Sequence, residues 1–361
     1  MQYNSDSPTH PRKKATKYQQ TETRSTCLGQ ITAVSRAWKK AIIGRDFLWN
    51  TYRGRTHHCI EAFDVWTARM GPGPVDLRLI FESGPVGANR VSATDLTALM
   101  NTVSQRCVTL ALSMLDESHT DVILSTMHSS RFPRMSNLSI TVSYNDEHAY
   151  NDSAVPTPGP ATFSHFPDTL KDPRLDGHHA LWTMPKSFAL LTTFILNRLG
   201  IDNAPTVKEF EALFEAALNL ERLALSCVAA SPKGASGNHL LTMNKLKYIH
   251  YTPVGDFSLG RLISRLEAPN MTHLELEMWD IKDFEVLTLC RRAFRPATNL
   301  NLAGFTFTDD VTLGATCELL PMASHVDLTS ASVFLRLMAY AALPLWPKLA
   351  QLRIQEQALV D

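Results

Sequence analysis

Apolar side chains recur at a fixed interval along the C-terminal part of the chain. Leu274, Leu300, Val326 and Leu352 stand 26 residues apart, and each is followed two positions later by Leu276, Leu302, Leu328 or Ile354. The unit is φ-x-x-φ-x-φ, with φ apolar. Read backwards it is Leu349, Leu352, Ile354; Ala323, Val326, Leu328; Ala297, Leu300, Leu302; Met271, Leu274, Leu276; and Leu246, Ile249, Tyr251. Further upstream come Leu220, Leu223, Leu225; Leu191, Phe194, Leu196; Met135, Leu138, Ile140; Cys107, Leu110, Leu112; and Pro74, Leu77, Leu79. The central positions advance by 33, 28, 56, 29, 26, 25, 26, 26 and 26 residues, so a single step departs from the rule. A period of about 20 to 50 residues marks one supersecondary unit stacked on copies of itself. Function is therefore expected on an extended surface, without a deep catalytic cleft.

The φ-x-φ part turns both apolar side chains to one face of a short strand. Segments of helical period lie between these strands. Leu96, Leu99, Met100 and Val103 follow i, i+3, i+4, i+7 spacing and predict one apolar helix stripe. Leu259, Leu262, Ile263 and Leu266 repeat that spacing after Ser258, read as an N-cap. Thr206 and Glu209 fit a capping box ahead of Phe210, Leu213, Phe214 and Ala217. Strand, helix and return to a parallel neighbour, iterated, predict an α/β solenoid: a curved parallel sheet on the concave side and helices on the convex side.

Over roughly residues 74 to 359 this pattern resembles the leucine-rich repeats. That family usually places Asn or Cys three residues past the last strand leucine, where a polar side chain satisfies backbone groups inside the turn. Here those positions hold Glu82, Leu115, Ser143, Leu199, Val228, Val254, Trp279, Phe305, Ala331 and Gln357. The resemblance is thus to irregular repeats of intracellular proteins, and the solenoid is assigned to residues 71–361.

Residues 1–25 carry almost no apolar side chains and read as a disordered polar tail, since such a composition cannot offset the entropy of folding. Residues 26–70 differ. Leu28, Ile31, Val34, Trp38 and Ile42 make one face of an amphipathic helix, with Arg36, Lys39 and Lys40 on its polar side. Phe47, Leu48, Trp49 and Tyr52 follow the break at Gly44. Val34, Ser35, Trp38, Leu48 and Trp49 resemble the second half of an F-box, with its Val-Ser-x-x-Trp, short spacer and Leu-Trp. The Leu-Pro opening and apolar first helix of that family have no counterpart in residues 1–25, so the box reads as N-terminally truncated. The resemblance implies that Leu28, Ile31, Val34, Ser35, Trp38, Leu48 and Trp49 contact a Skp-type adaptor. A stretch of about 27 residues lies below the roughly 40 that usually fold unaided. Trp38 and Trp49 must pack on something. They cap the solenoid, dock the adaptor or do both, or else the stretch stays disordered.

The one broken step, from Leu138 to Phe194, holds the alternating prolines Pro156, Pro158 and Pro160. A Pro-rich loop is expected at about 143–187. Its second part, from His165, is compatible either with a degenerate repeat around Leu175 or with a longer insertion projecting from one rim.

Composition narrows the function classes. Lys plus Arg and Asp plus Glu both number 35, so no net charge draws the chain toward nucleic acid. No apolar run approaches the roughly 18 residues of a membrane span, and no secretory apolar core follows the start. A cytoplasmic or nuclear location is expected, with neither nucleic acid nor membrane as partner. The six cysteines, Cys27, Cys59, Cys107, Cys227, Cys290 and Cys317, lack CxxC pairing and read as free thiols. The basic run at residues 12–17 reads as a solvated tail.

Motifs for chemistry are missing: no GxxxxGK[ST], GxGxxG, HExxH or GxSxG occurs. His57-His58-Cys59 and His178-His179 point apart as chain neighbours and lack a second ligand pair, so no metal site is expected. Asp309-Asp310 reads as a helix start. No cofactor and no catalytic residue are expected. Strand alternation instead sends a set of polar residues to the open face of the last four repeats. They are His273, Glu275, Glu277, Asn299, Asn301, His325, Asp327, Thr329, Gln351, Arg353 and Gln355. Such a face either binds a protein target or simply solvates the sheet. Taken with the F-box resemblance, the chain reads as a non-catalytic substrate-recognition subunit of a cullin-RING ubiquitin ligase; the other reading is an interaction scaffold with no ligase link.

Overall fold

The computed structural model describes residues 50–55, 66–68, 70, 72–80, 93–115, 126–127, 132–142, 168–176, 188–199, 205–230, 239–253, 257–277, 281–303, 317–329 and 346–354. Twelve strands form one parallel sheet: β1 (Thr51–Arg55), β2 (Val75–Ile80), β3 (Cys107–Leu115), β4 (Asn137–Val142), β5 (Asp172–Asp176), β6 (Thr193–Leu199), β7 (Arg222–Val228), β9 (Tyr248–Thr252), β11 (His273–Glu277), β12 (Asn299–Ala303), β13 (His325–Leu328) and β14 (Gln351–Ile354). They lie side by side in chain order. Two further short strands, β8 (Leu241–Thr242) and β10 (Leu266–Glu267), pair with each other apart from the main sheet. The result is an α/β architecture compatible with a solenoid.

Register follows the sequence period. Ile249, Leu274, Leu300, Val326 and Leu352 pair in turn across β9, β11, β12, β13 and β14, and so do Tyr251, Leu276, Leu302, Leu328 and Ile354. From Leu77 to Leu328 the inward strand side chains are almost wholly buried in one continuous core with the helix stripes. A one-residue slip would turn each of these leucines to the opposite face, and this penalty holds the register.

The helices carry the expected stripes. Leu96, Leu99, Met100 and Val103 are all buried on α1 (Ala93–Val103). On α2 (Val207–Ala216) the capping box is complete. The Thr206 hydroxyl accepts from Glu209 N at 3.2 Å, and the Glu209 carboxylate accepts from Thr206 N at 2.7 Å. Helix α3 (Phe257–Ser264) starts before Ser258, which therefore lies inside the helix, and Leu266 belongs to β10. Helices α4 (Ile281–Leu289) and α5 (Arg291–Phe294) follow β11. Gly260 permits close approach of α3 and α4, because a Cβ there would meet Val286 Cγ1 at 2.5 Å.

Hydroxyl side chains at the strand entries bond backbone carbonyls of the preceding repeat. Thr272 N and His273 N both donate to Lys247 O at 2.9 Å, and Thr272 Oγ1 joins them at 3.3 Å. One repeat on, Thr298 Oγ1 donates to Thr272 O at 3.3 Å, and Ser324 Oγ to Thr298 O at 3.2 Å. Ahead of each of these strand entries sits the same turn. Met271 N bonds Ala268 O, Ala297 N bonds Phe294 O, Ala323 N bonds Leu320 O and Leu349 N bonds Trp346 O. Pro133, Pro269, Pro321 and Pro347 stand second in their turns, where a fixed φ is favourable. The turns also hold one another: Asn219 Nδ2 donates to Ala189 O and Asn270 Nδ2 to Asn244 O, each at 2.7 Å.

Of the two readings open for the stretch from His165, the degenerate repeat around Leu175 is the one observed: β5 lies between β4 and β6 with Leu175 paired to Ile140 and Leu196. The hidden repeat around Leu175 is present there, masked because Pro173 occupies the place of a strand leucine. The sheet also begins before residue 71. Residues 51–55, assigned to a helical segment over 26–70, form β1, which pairs with β2 from Thr51↔Asp76 to Arg55↔Ile80. Gly54 replaces the second apolar residue of the motif and hides it. Pro74 is exposed, and buried Val75 takes its place beside Cys107, with a register shift between Val75 and Asp76. At the far end Leu349 and Leu352 are 38% and 39% exposed, so the last repeat is incompletely covered.

Candidate site on the polar face of the sheet

Alternation leaves the side of the sheet opposite the leucines polar and half-exposed. His273, Asn299, His325 and Gln351 form one column, and Glu275, Asn301, Asp327 and Arg353 the next. These are residues expected from sequence, brought together by register alone. Glu277 lies on the same face at the exit of β11. Thr329 lies just past β13 and is tied to the backbone, its hydroxyl donating to Leu302 O at 3.2 Å. Gln355 falls outside the described residues, as do Leu28, Ile31, Val34, Ser35, Trp38, Leu48 and Trp49, His57-His58-Cys59, His178-His179 and Asp309-Asp310.

The columns extend upstream into strands that the sequence argument left out. Tyr248 pairs with His273 and His250 with Glu275 across β9 and β11. Glu275 is the hub. The Tyr248 hydroxyl donates to its Oε2, and Asn301 Nδ2 donates to its Oε1 at 3.2 Å. His250 Nδ1 lies 3.9 Å from Oε2, and the His250 and Glu275 side chains are 23% and 30% exposed. A second chain runs along the strand exits: Ser226 Oγ to Thr252 Oγ1 at 3.3 Å, then Thr252 Oγ1 to Glu277 Oε2 at 3.3 Å. His250 Nε2 joins Thr252 Oγ1 at 3.2 Å.

Burial, and then the hydrogen bond to Glu275, push the Tyr248 phenol well above its ordinary value, so it stays a protonated donor. Arg222 lies over that ring, its Cζ 4.3 Å from the centroid. His273 and His325 each engage the neighbouring strand-entry hydroxyl through Nδ1, at 2.8 Å from Thr272 Oγ1 and 2.9 Å from Ser324 Oγ. Arg353 Nε approaches Asp327 Oδ1 only to 4.0 Å, with both side chains well exposed, a weak pairing.

On β5 and β6 the carboxylates of this face carry arginines. Asp172 pairs with Arg174 at 3.0 Å and Asp176 with Arg198 at 2.6 Å. Arg198 and Cys227 adopt positive φ, 53° and 54°, at matching places in β6 and β7 between Asn197↔Ser226 and Leu199↔Val228. The two strands therefore share one aligned kink.

Three of the thiols, Cys107, Cys290 and Cys317, are buried and held protonated. Burial raises Cys107 and Cys317 to about 12, helped by Asp76 and Glu318 respectively, and burial also raises Cys290. Cys107, Cys290 and Cys317 form no disulfide. Among the described residues, no group of three or more His, Cys, Asp or Glu could hold a metal ion, and no helix is long and apolar enough to cross a membrane. What the face offers chemically is an array of fixed donors and acceptors.

No protein-family model matches this chain, and no curated protein matches it.

Proposed function

We propose that this chain is a non-catalytic substrate-recognition subunit of a cullin-RING ubiquitin ligase. The leucine-rich-repeat solenoid binds a target protein on its concave polar face, and the F-box-like residues 26–52 bind a Skp-type adaptor. Ubiquitin transfer belongs to partner enzymes. The observation that carries target binding is the half-buried network around Glu275, a fixed polar surface spanning several strands; such surfaces recognise partners through many modest contacts around a few strong ones. The adaptor link rests on Val34, Ser35, Trp38, Leu48 and Trp49.

A second reading, an interaction scaffold with no ligase connection, is favoured by one observation. The sequence just after the F-box-like motif enters the sheet as β1, and Trp66 is buried against Tyr52, with ring centroids 5.1 Å apart. That is where a cap would sit. Capture of the purified chain by a Skp-type adaptor separates the two. The ligase reading expects binding that Trp38→Ala and Trp49→Ala abolish. No capture, with Trp38→Ala altering thermal stability alone, leaves the scaffold.

A further inference from the structure

Strand β14 has β13 on one side and no strand on the other among the described residues. Leu349 and Leu352 are exposed there, whereas their counterparts in the three preceding repeats, Met271, Leu274, Ala297, Leu300, Ala323 and Val326, are buried. The backbone is unmatched in the same place. Lys247, Thr272, Thr298 and Ser324 each give one carbonyl to two N–H groups of the following strand, and among the described residues the equivalent carbonyl of Ala350 receives neither. Side-chain cover and backbone pairing stop together, and an edge of this kind is a template for another strand.

The direction of the free groups decides which strand fits. In a parallel ladder the N–H and C=O of one residue point to the same neighbour. Gln351 N donates to Ser324 O at 3.0 Å, so Gln351 and Arg353 face β13, while Leu352 and Ile354 face the open edge. An antiparallel partner pairs where two outward-facing residues meet, each giving its N–H to the other's carbonyl. A second β14, turned about a two-fold axis through Leu352, meets that condition. Leu352 exchanges both bonds with its own copy, and the Ala350 carbonyl accepts from Ile354 N of the second copy.

The side chains agree with this register. An axis perpendicular to the sheet keeps polar and apolar faces aligned, so the two Leu352 side chains cover each other and each Arg353 lies opposite Gln351, whose amide oxygen accepts from it. No like charges meet. Stacking copies head to tail does not meet the condition: β14 continued onto β1 in the same register sets Arg353 against Arg53, and like charges directly opposite are destabilising.

We propose that β14 is a dimerisation strand, pairing antiparallel with β14 of a second copy about a two-fold axis at Leu352. The assembly is closed, because an isologous contact occupies both β14 edges at once. It joins two twelve-stranded sheets into one, with both polar faces on the same side. The inference is independent of the ligase and scaffold readings and adds to either. A dimer offers its polar face twice, so a target that carries the recognised segment twice is held more tightly than by one chain.

Sedimentation equilibrium of the full chain tests this. At about 50 μM, above a dissociation constant on the order of a micromolar for a small interface, the mass should be twice the 40.3 kDa of one chain, with no larger species. Leu352→Lys sets two ammonium groups at the axis and should weaken association by about tenfold or more. Leu218→Lys, at an exposed leucine in the turn before β7, should leave the mass unchanged. Opposite residues of a bonded antiparallel pair have Cα atoms about 5.5 Å apart, within disulfide range. Mild oxidation should therefore trap Leu352→Cys as a covalent dimer, to a far greater extent than Leu218→Cys or the unaltered chain. A monomer at this concentration, species larger than two chains, or equal cross-linking of the two cysteine variants overturns the proposal. So does a dimer that survives Leu352→Lys. Should Leu352→Lys prove unfolded by circular dichroism, the mass of the unaltered chain and the cysteine variants decide.

Discussion

Arg265 and Glu211 form an ion pair across 54 residues of sequence, with side chains only 13% and 10% exposed. The pair joins α2 to the turn after α3, and Arg265 Nε also donates to His239 O at 2.9 Å. Removing one partner leaves a desolvated charge behind. Arg265→Met should therefore cost on the order of 3 kcal/mol in chemical denaturation, and Arg265→Met combined with Glu211→Leu should recover much of that loss. Equal stability of the single and double variants would show that the pair carries no desolvation cost.

Leu300 and Leu352 hold equivalent places in the repeat but differ in cover, at 3% and 39% exposed. Leu300→Ala should destabilise by about 2 to 5 kcal/mol, and Leu352→Ala by roughly 1 kcal/mol or less. Urea midpoints measured side by side decide this. Similar losses would mean that the last strand is covered as well as the others.

Gly260 lies where a methyl group meets Val286 Cγ1. Gly260→Ala should lower stability by about 1 to 3 kcal/mol despite the better helix propensity of alanine, and Val286→Ala should relieve it. A stabilising Gly260→Ala would show that α3 and α4 separate easily.

Buried thiols give a pH signature. Cys107 and Cys317 have pKa values raised to about 12 in the folded chain from an ordinary 9.0. The unfolded chain then ionises first as pH rises, so the stability that these groups contribute is complete below pH 9 and is lost between 9 and about 12. Denaturation midpoints should fall over that window, less steeply in Cys107→Ala with Cys317→Ala. Iodoacetamide at pH 8 should leave Cys107, Cys290 and Cys317 unmodified in the native chain, since all three are buried.

The capping box predicts a smaller effect. Thr206→Ala should cost about 1 kcal/mol, since the hydroxyl accepts from Glu209 N. Circular dichroism melts of Thr206→Ala and Thr206→Ser compare the lost cap with a retained one.

Repeats whose leucines follow the period were legible from sequence, because burying one face of a strand fixes both its side-chain pattern and its register. Leu223, Ile249, Leu274, Leu300 and Val326 all fall where the spacing put them. In the main sheet β1 was missed and β5 stood only as one of two alternatives, because each has a small or cyclic residue in a leucine's place, Gly54 in β1 and Pro173 in β5. Apolar periodicity is blind to both. The turn ahead of the strand would have helped. Phe166-Pro167 precedes β5 much as Phe132-Pro133 precedes β4, one residue further from its strand. The Glu275 hub was half legible. Its column could be read from spacing, but Tyr248 and His250 required carrying the column one strand upstream. The Asn301 contact needed side-chain geometry that no pattern encodes.

The strand-entry handover has a consequence for length. Thr272 gives its hydroxyl to the carbonyl of Lys247 and its own carbonyl to Thr298, which hands on to Ser324 in the same way. Donor and acceptor are interchangeable between neighbours. Excising residues 273–298 joins Thr272 directly to Asn299, which then stands where His273 stood, and inserting a copy of those residues adds a rung of the same kind. A step of 26 residues therefore preserves the strand-entry bond and the leucine register across these junctions. Size is a quantised variable in this architecture, and the reach of its polar face changes with it one strand at a time.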